Sequence, residues 1–185
     1  RAEGTMSETP QTNPSAPCGV PHIQLEMRSH PQYLSGVREL LSSVAKRLGF
    51  SDAQCSQIAL AVDEALCNVI RHGYKRRSDR PIWVRLWPLD AGGGVVSEGV
   101  EAAALRIVIE DDAEQVDPET IKSRNLDEIR PGGLGVHIIR EVMDEAVYQR
   151  REGGVGMRLT MTKKRVSERA SGGSQDPALR GSSVA

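Results

Sequence analysis

Two stretches of strand pattern follow one another with no helix between them, and that limits the fold more than any other feature. Pro81–Leu89 and Ala104–Glu110 are dominated by apolar and β-forming residues, and the DAGGGVVSEG segment that separates them reads as a flexible loop. A second pair, Ala146–Arg150 and Met157–Lys163, brackets Glu152-Gly153-Gly154 and reads as a closing hairpin. Ile23, Leu25 and Met27 alternate within His22–Arg28, as an edge strand does. A doubly wound parallel sheet needs a crossover helix after each strand, so this order argues against one. It argues for an α+β two-layer sandwich, with a mixed, largely antiparallel sheet and helices on one face.

Helical spacing fills the gap between the first two strands. Tyr33, Leu34, Val37, Leu40, Leu41, Val44, Ala45 and Leu48 mark one helix, which Gly49 ends. Ser51 or Asp52 caps the next, whose apolar stripe runs through Cys55, Ile58, Ala59, Val62, Leu66, Val69 and Ile70 to Gly73. Val116–Arg130 reads as irregular or briefly helical, and Gly135–Asp144 has helical character. The first 21 residues and residues 166–185, rich in Pro, Ser, Thr and Gly, are expected to be a disordered leader and tail. The folded unit is then about residues 22–165. A chain of 185 residues suits one domain of this size.

Composition removes several functional classes. Lys plus Arg is 24 and Asp plus Glu is 25, a formal charge of -1, which gives no global pull toward nucleic acid or an anionic membrane. One Phe, two Trp and three Tyr leave little for base stacking, so the core is expected to be aliphatic. No apolar run is long enough to span a bilayer. Cys18, Cys55 and Cys67 show no CxxC spacing, and Cys55 and Cys67 stand about 18 Å apart on one helix, too far to bond. Reduced thiols in a cytoplasm are expected.

Three short patterns carry chemistry. In AVDEALCNVIRHGY, Glu64 and Asn68 are one helical turn apart, on a side away from the apolar stripe. A carboxamide oxygen can ligate Mg²⁺, and a carboxylate can deprotonate a hydroxyl beside a phosphate. Alone, the pair is more often a solvated helix face. Asp111 leaves the end of the apolar run Ile107-Val108-Ile109, where it can accept a hydrogen bond from a ligand amine, although a strand-end turn is the commoner use of Asp. Arg130-Pro131-Gly132-Gly133-Leu134-Gly135 runs into a helix and brings bare backbone N–H groups to its N-terminus, a site for phosphate. It lacks the Lys-Ser/Thr of a Walker loop and the setting of a dinucleotide fingerprint.

In order and spacing together, the three patterns resemble the GHKL (Bergerat-fold) ATP-binding superfamily. VDEALCNVIRHGY, IVIEDDAEQVDP, RPGGLGVHIIREVMDEAVY and GGVGMRLTMTKK are similar to the anti-sigma-factor serine kinases over about residues 22–163. The resemblance implies ATP and Mg²⁺ as ligands. It implies Glu64 as general base on a substrate serine, Asn68 as the Mg²⁺ ligand and Asp111 as the adenine anchor. Gly132, Gly133 and Gly135 would wrap the phosphates, with Arg130 close enough to touch one, and Asp117–Gly132 would form the lid. His72 falls in the same helical motif. The implied partners are a sigma factor and a STAS-domain anti-anti-sigma factor, in a homodimer that switches between them. Two positions depart from the family: Ala113 stands where it usually has Gly, and Met157 where it often has Thr. Both lie on the adenine side, so the alternative is a catalytically inactive module that regulates by sequestration.

Overall fold

In the computed structural model, residues 19–97, 100–121 and 134–166 are described. The elements are β1 (Ile23–Arg28), α1 (Leu34–Arg47), α2 (Asp52–Asn68), β2 (Pro81–Leu89), β3 (Ala104–Asp111), α3 (Leu134–Val142), β4 (Glu145–Arg150) and β5 (Met157–Lys164). Short 3₁₀ turns at Pro31–Tyr33 and Pro118–Thr120 precede α1 and follow β3. The sheet runs β1-β2-β3-β5-β4. Every strand pair is antiparallel, so the sheet expected to be mixed and largely antiparallel has no parallel pairing among the described residues. The expected leader and tail lie outside the described residues over 1–18 and 167–185.

Alternation decides what faces the helices. Ile82, Val84 and Leu86 of β2, Leu105, Ile107 and Ile109 of β3, and Leu159 and Met161 of β5 form one buried cluster with Leu41, Ile58, Val62, Leu66 and Ile139 of the helices. Fully burying each such side chain contributes about 1.5–3 kcal/mol. The opposite face of the sheet carries Trp87, Leu89, Ala104 and Val108 in a smaller cluster. Strand period two therefore places Asp111 on the helix side, in line with Ile107 and Ile109, and sends Glu110 to the other side.

Helix α2 lies at the centre of the helical layer and begins with a capping box. Ser51 Oγ accepts from Gln54 N at 3.3 Å, and Gln54 Oε1 accepts from Ser51 N at 3.4 Å. Gln54 Nε2 also donates to the Lys164 carbonyl at 2.7 Å, which ties the helix start to the end of β5. Beyond Asn68 the helix does not continue as α to Gly73 but widens into a π-turn over Val69–Gly73, closed by Tyr74 N donating to Val69 O at 2.8 Å. Lys75 and Arg76 follow with φ of 50° and 66°, the only non-Gly residues with positive φ among those described.

On the sheet's outer face Glu110 is 2% exposed and bonded to Arg85 and, at 2.6 Å, to Arg158 Nε, with Arg151 Nε at 3.8 Å. Burial pushes its carboxyl up, but the guanidinium hydrogen bonds and charges outweigh that and hold it below the ordinary value. A depressed carboxyl stabilises the fold above its unfolded pKa and loses that contribution as pH falls through the folded one. Glu110→Gln is expected to lower stability by about 1–3 kcal/mol at neutral pH. In urea unfolding across pH, the difference from wild type should shrink below the ordinary carboxyl value of 4.5. A difference independent of pH would refute the assignment.

Candidate functional site

A cavity of about 360 Å³ opens between the C-terminal end of α2 and the sheet. Its walls include Asn68, His72 and Lys75 from α2 and the π-turn region, Ile109 and Asp111 from β3, Val136 from α3, Tyr148 from β4, and Met157 and Leu159 from β5. The strand alternation that buries Ile107 and Ile109 carries Asp111 into this space. Asp111 is 5% exposed, and its Oδ1 accepts from Ala113 N at 2.9 Å and Met157 N at 3.2 Å. Oδ2 accepts no hydrogen bond among the described residues.

Burial raises the Asp111 carboxyl above its ordinary value, the neighbouring Asp112 charge adds to that, and the two main-chain N–H bonds offset it only in part. The strand end is braced from several sides. Arg151 Nη1 donates to the Asp111 carbonyl at 2.7 Å, and Gly156 N donates to the Ala113 carbonyl at 2.8 Å. Gln115 Nε2 donates to the carbonyls of Arg151 at 2.7 Å and Gly156 at 3.2 Å. The Tyr74 hydroxyl accepts from Asp112 N at 2.8 Å and lies 2.5 Å from the Pro81 carbonyl and 2.7 Å from Asp112 Oδ1. Burial keeps that phenol protonated. Gly156 makes the close approach feasible. Its φ is +83°, and a Cβ there would stand 2.0 Å from the Asp111 carbonyl oxygen.

Glu64 and Asn68 share one side of α2, as their spacing requires, and both are half-buried there rather than fully solvated. The start of α3 covers it: a Cβ on Gly135 would lie 2.6 Å from Glu64 Oε2 and 3.2 Å from Asn68 Nδ2. Gly135 thus meets the Glu64–Asn68 pair directly. The Asn68 side-chain nitrogen is buried and has no hydrogen-bond partner among the described residues, and the same holds for the hydroxyl of Tyr148. Half a turn of the Asn68 amide exchanges nitrogen for oxygen, so the position offers either a donor to an anion or an oxygen to a cation. No group of three or more His, Cys, Asp or Glu among the described residues is placed to hold a metal alone. Mg²⁺ is commonly held by one or two protein oxygens together with substrate phosphates, and Asn68 fits that use.

The structure brings Asn68, Asp111 and the cavity together, with Glu64 and Gly135 beside Asn68. Arg130, Gly132 and Gly133 lie outside the described residues. Two expected weaknesses on the adenine side look different in place. Ala113 does not have a positive φ, so no glycine is required there, and its Cβ faces the vacant Cβ position of Gly73 at 3.2 Å. Met157, which stands where the family often has Thr, supports Asp111 through its backbone N–H. Sequence reasoning missed Tyr148. The alternation of Ala146 and Tyr148 on β4 was the available signal, but an aromatic on an edge strand does not announce a cavity.

Comparison with known proteins follows this geometry. The profile of the histidine kinase-like ATPase domain matches residues 27–163, and the chain belongs to that family. The proteins similar to this chain include serine-protein kinases. It is 27% identical over 157 residues to serine-protein kinase RsbW of Bacillus subtilis, covering 80% of this chain and 88% of that one. It is 29% identical over 160 residues to the RsbW of Staphylococcus aureus strain RF122, covering 81% and 92%. Among solved structures, the RsbU and RsbW domains of Rv1364c from Mycobacterium tuberculosis superpose with a TM-score of 0.50 at 19% identity, covering 78% of this chain and 33% of that one. A chain of the SiaB–SiaC complex from Pseudomonas aeruginosa gives 0.52 at 10%, covering 77% and 89%. Both show the shared α+β sandwich. No helix among the described residues is long and apolar enough to cross a membrane.

Two substitutions test this geometry. Gly156→Ala is expected to destabilise the protein by at least about 2 kcal/mol, because it joins a backbone clash to a left-handed φ. Thermal unfolding within about 1 °C of wild type would refute the close packing. A raised carboxyl, unlike Glu110, contributes stability that is full below its unfolded pKa and lost as pH rises through the folded one. Asp111→Asn keeps an oxygen for both main-chain donors and removes that loss. It is expected to unfold at or above the wild-type temperature at pH 7, and to unfold like wild type near pH 4.

Proposed function

We propose that the chain is an anti-sigma factor and serine-protein kinase. It binds Mg-ATP, phosphorylates a serine of a STAS-type anti-anti-sigma antagonist, and sequesters a sigma factor when that antagonist is phosphorylated. The observation that carries this reading is one cavity whose walls hold two buried polar atoms without partners among the described residues, Asn68 Nδ2 and the Tyr148 hydroxyl, together with the Asp111 carboxylate. Buried polar groups are nearly always paired, so a cavity with two unpaired buried donors beside a carboxylate is shaped for a polar ligand. The family and the RsbW relatives support the nature of that ligand.

Each residue then has a part. Asp111 accepts the amine of adenine at Oδ2, while its Oδ1 stays bound to the backbone. Asn68 turns its amide oxygen to Mg²⁺. Glu64 takes the proton of the serine hydroxyl as the serine oxygen bonds to the γ-phosphorus and ADP leaves with the electrons of the broken bond. Mg-ATP supplies the transferred phosphoryl group and the charge neutralisation by the metal. Gly135 lets α3 approach Glu64 and Asn68 closely enough to close over phosphate. Arg130, Gly132 and Gly133 are assigned to phosphate by their sequence position. Phosphorylation puts like charge and desolvation cost onto the antagonist's docking surface and releases it. A cytoplasmic homodimer completes the reading.

Thermal unfolding with and without Mg-ATP tests it first. Ligand at 100 times its Kd should stabilise the protein by about 2.7 kcal/mol, a rise on the order of 5–10 °C. Asn68→Ala should lose the Mg²⁺-dependent part of the rise. Glu64→Ala should keep the nucleotide shift but lose at least about a hundredfold in phosphoryl transfer to a serine-bearing STAS antagonist. The proposal fails if no nucleotide shifts unfolding, and its kinase half fails if Glu64→Ala transfers phosphate at the wild-type rate.

A further inference from the structure

Tyr148 is a polar group of the cavity to which the sequence patterns assign no role. It sits on β4 opposite Leu159 of β5, which is itself opposite Ile109 of β3. Asp111 lies two residues further along β3. The two polar side chains therefore start about 7 Å apart along the strands and about 10 Å apart across them, at different corners of the cavity floor. The ring packs against the main core cluster, while its hydroxyl is buried without a hydrogen-bond partner among the described residues. Burial pushes the phenol up to about 12, so it is a proton donor throughout the neutral range. Phe would fill the same apolar space without stranding a hydroxyl. An unmatched buried donor costs the fold and is satisfied here only by something that enters the cavity.

We propose that Tyr148 is a specificity-determining residue, whose hydroxyl donates a hydrogen bond to an acceptor on the nucleoside part of the bound nucleotide, at the end of the cavity away from Asp111. The inference rests on the nucleotide-binding reading of this site. The acceptor is a ring nitrogen of the base or an oxygen of the ribose. Asp111 alone reads one donor on the ligand and leaves the rest of the nucleoside unread. With Tyr148 the cavity reads a donor and an acceptor at a fixed separation, so a ligand lacking either strands a buried protein group. Unlike Asn68 and Glu64, Tyr148 has no part in metal binding or proton transfer.

The test compares wild type with Tyr148→Phe in the full chain, by unfolding without ligand and by calorimetric titration with Mg-ATP, ADP and 2′-deoxy-ATP. Without nucleotide, Tyr148→Phe is expected to unfold at or slightly above the wild-type temperature, since it removes an unpaired buried hydroxyl. With ATP and ADP it is expected to bind about tenfold more weakly. In phosphoryl transfer, KM for ATP should rise by a similar factor with kcat little changed, a split that a loosened fold does not produce. A tenfold penalty that persists with 2′-deoxy-ATP supports the proposal with an acceptor other than the 2′-hydroxyl. A penalty that vanishes with it supports the proposal with that hydroxyl as the acceptor. If wild type binds nucleotide and Tyr148→Phe binds it equally well, the role of Tyr148 is overturned while the nucleotide site stands. If wild type binds none, the nucleotide reading falls and this inference with it. Should Tyr148→Phe unfold early, Tyr148→Leu provides the same comparison, and an unchanged Kd there also overturns the role.

Discussion

The buried carboxylate at the end of β3 fixes the arrangement of everything around it. Strand alternation delivers Asp111 to the helix side of the sheet, where an ionised group is costly. Two main-chain N–H groups, from Ala113 and from Met157, hold one of its oxygens and leave the other without a hydrogen bond among the described residues. For Met157 to donate, β5 must enter the sheet beside Asp111 at close range, and Gly156 allows that because it has no Cβ. Arg151 and Gln115 then tie the hairpin turn and the strand exit to the same few carbonyls. The cost of a buried carboxylate is thus spread over a rigid frame, whose open side is the cavity.

Adjacent carboxylates show how far environment outweighs residue type. Glu110 and Asp111 are neighbours in sequence and both are almost wholly buried, yet their acidities move in opposite directions. Glu110 faces Arg85, Arg151 and Arg158, so it is matched by more positive charge than it carries. Asp111 faces apolar walls and main-chain dipoles, with Asp112 beside it. The first carboxylate is locked into a structural network. The second stays available to a ligand. The one-residue step between them is a change of sheet face, and the pleat supplies it.

Much of this was legible in the chain. The order of strands and helices and, to within a residue, the bounds of β2, β3 and the closing hairpin follow from periodicities of 2 and 3.6, while a shared site for Asn68 and Asp111 was implied only by the family resemblance of the quoted motifs. What was not legible depends on long-range packing. The π-turn at Val69–Gly73 and the left-handed Lys75 and Arg76 have no local signature, because neither residue type favours such a backbone. The solvated face expected for Glu64 is covered because α3, seventy residues later, lays Gly135 against it. Met157 cost the site less than its side chain implied, since its backbone N–H holds Asp111 whatever the side chain. Tyr148 became visible only once β4 was seen to border the cavity.

The unpaired polar atoms also explain why the site concentrates around α2. A buried donor without an acceptor costs about 1–3 kcal/mol, and a left-handed non-Gly residue costs a similar amount. Asn68 and Tyr148 bear the first kind of cost, and Lys75 and Arg76 the second, with all but Arg76 lining the same cavity. Such costs persist only where the rest of the structure over-determines them. Here the aliphatic core from Leu41 to Met161 and the capping box at Ser51 hold α2 in place from its other end. A ligand that gives Asn68 and Tyr148 their missing partners recovers part of that free energy as affinity. A cavity whose polar atoms were already paired with each other would gain less from the same ligand, because each new bond would first require an old one to break.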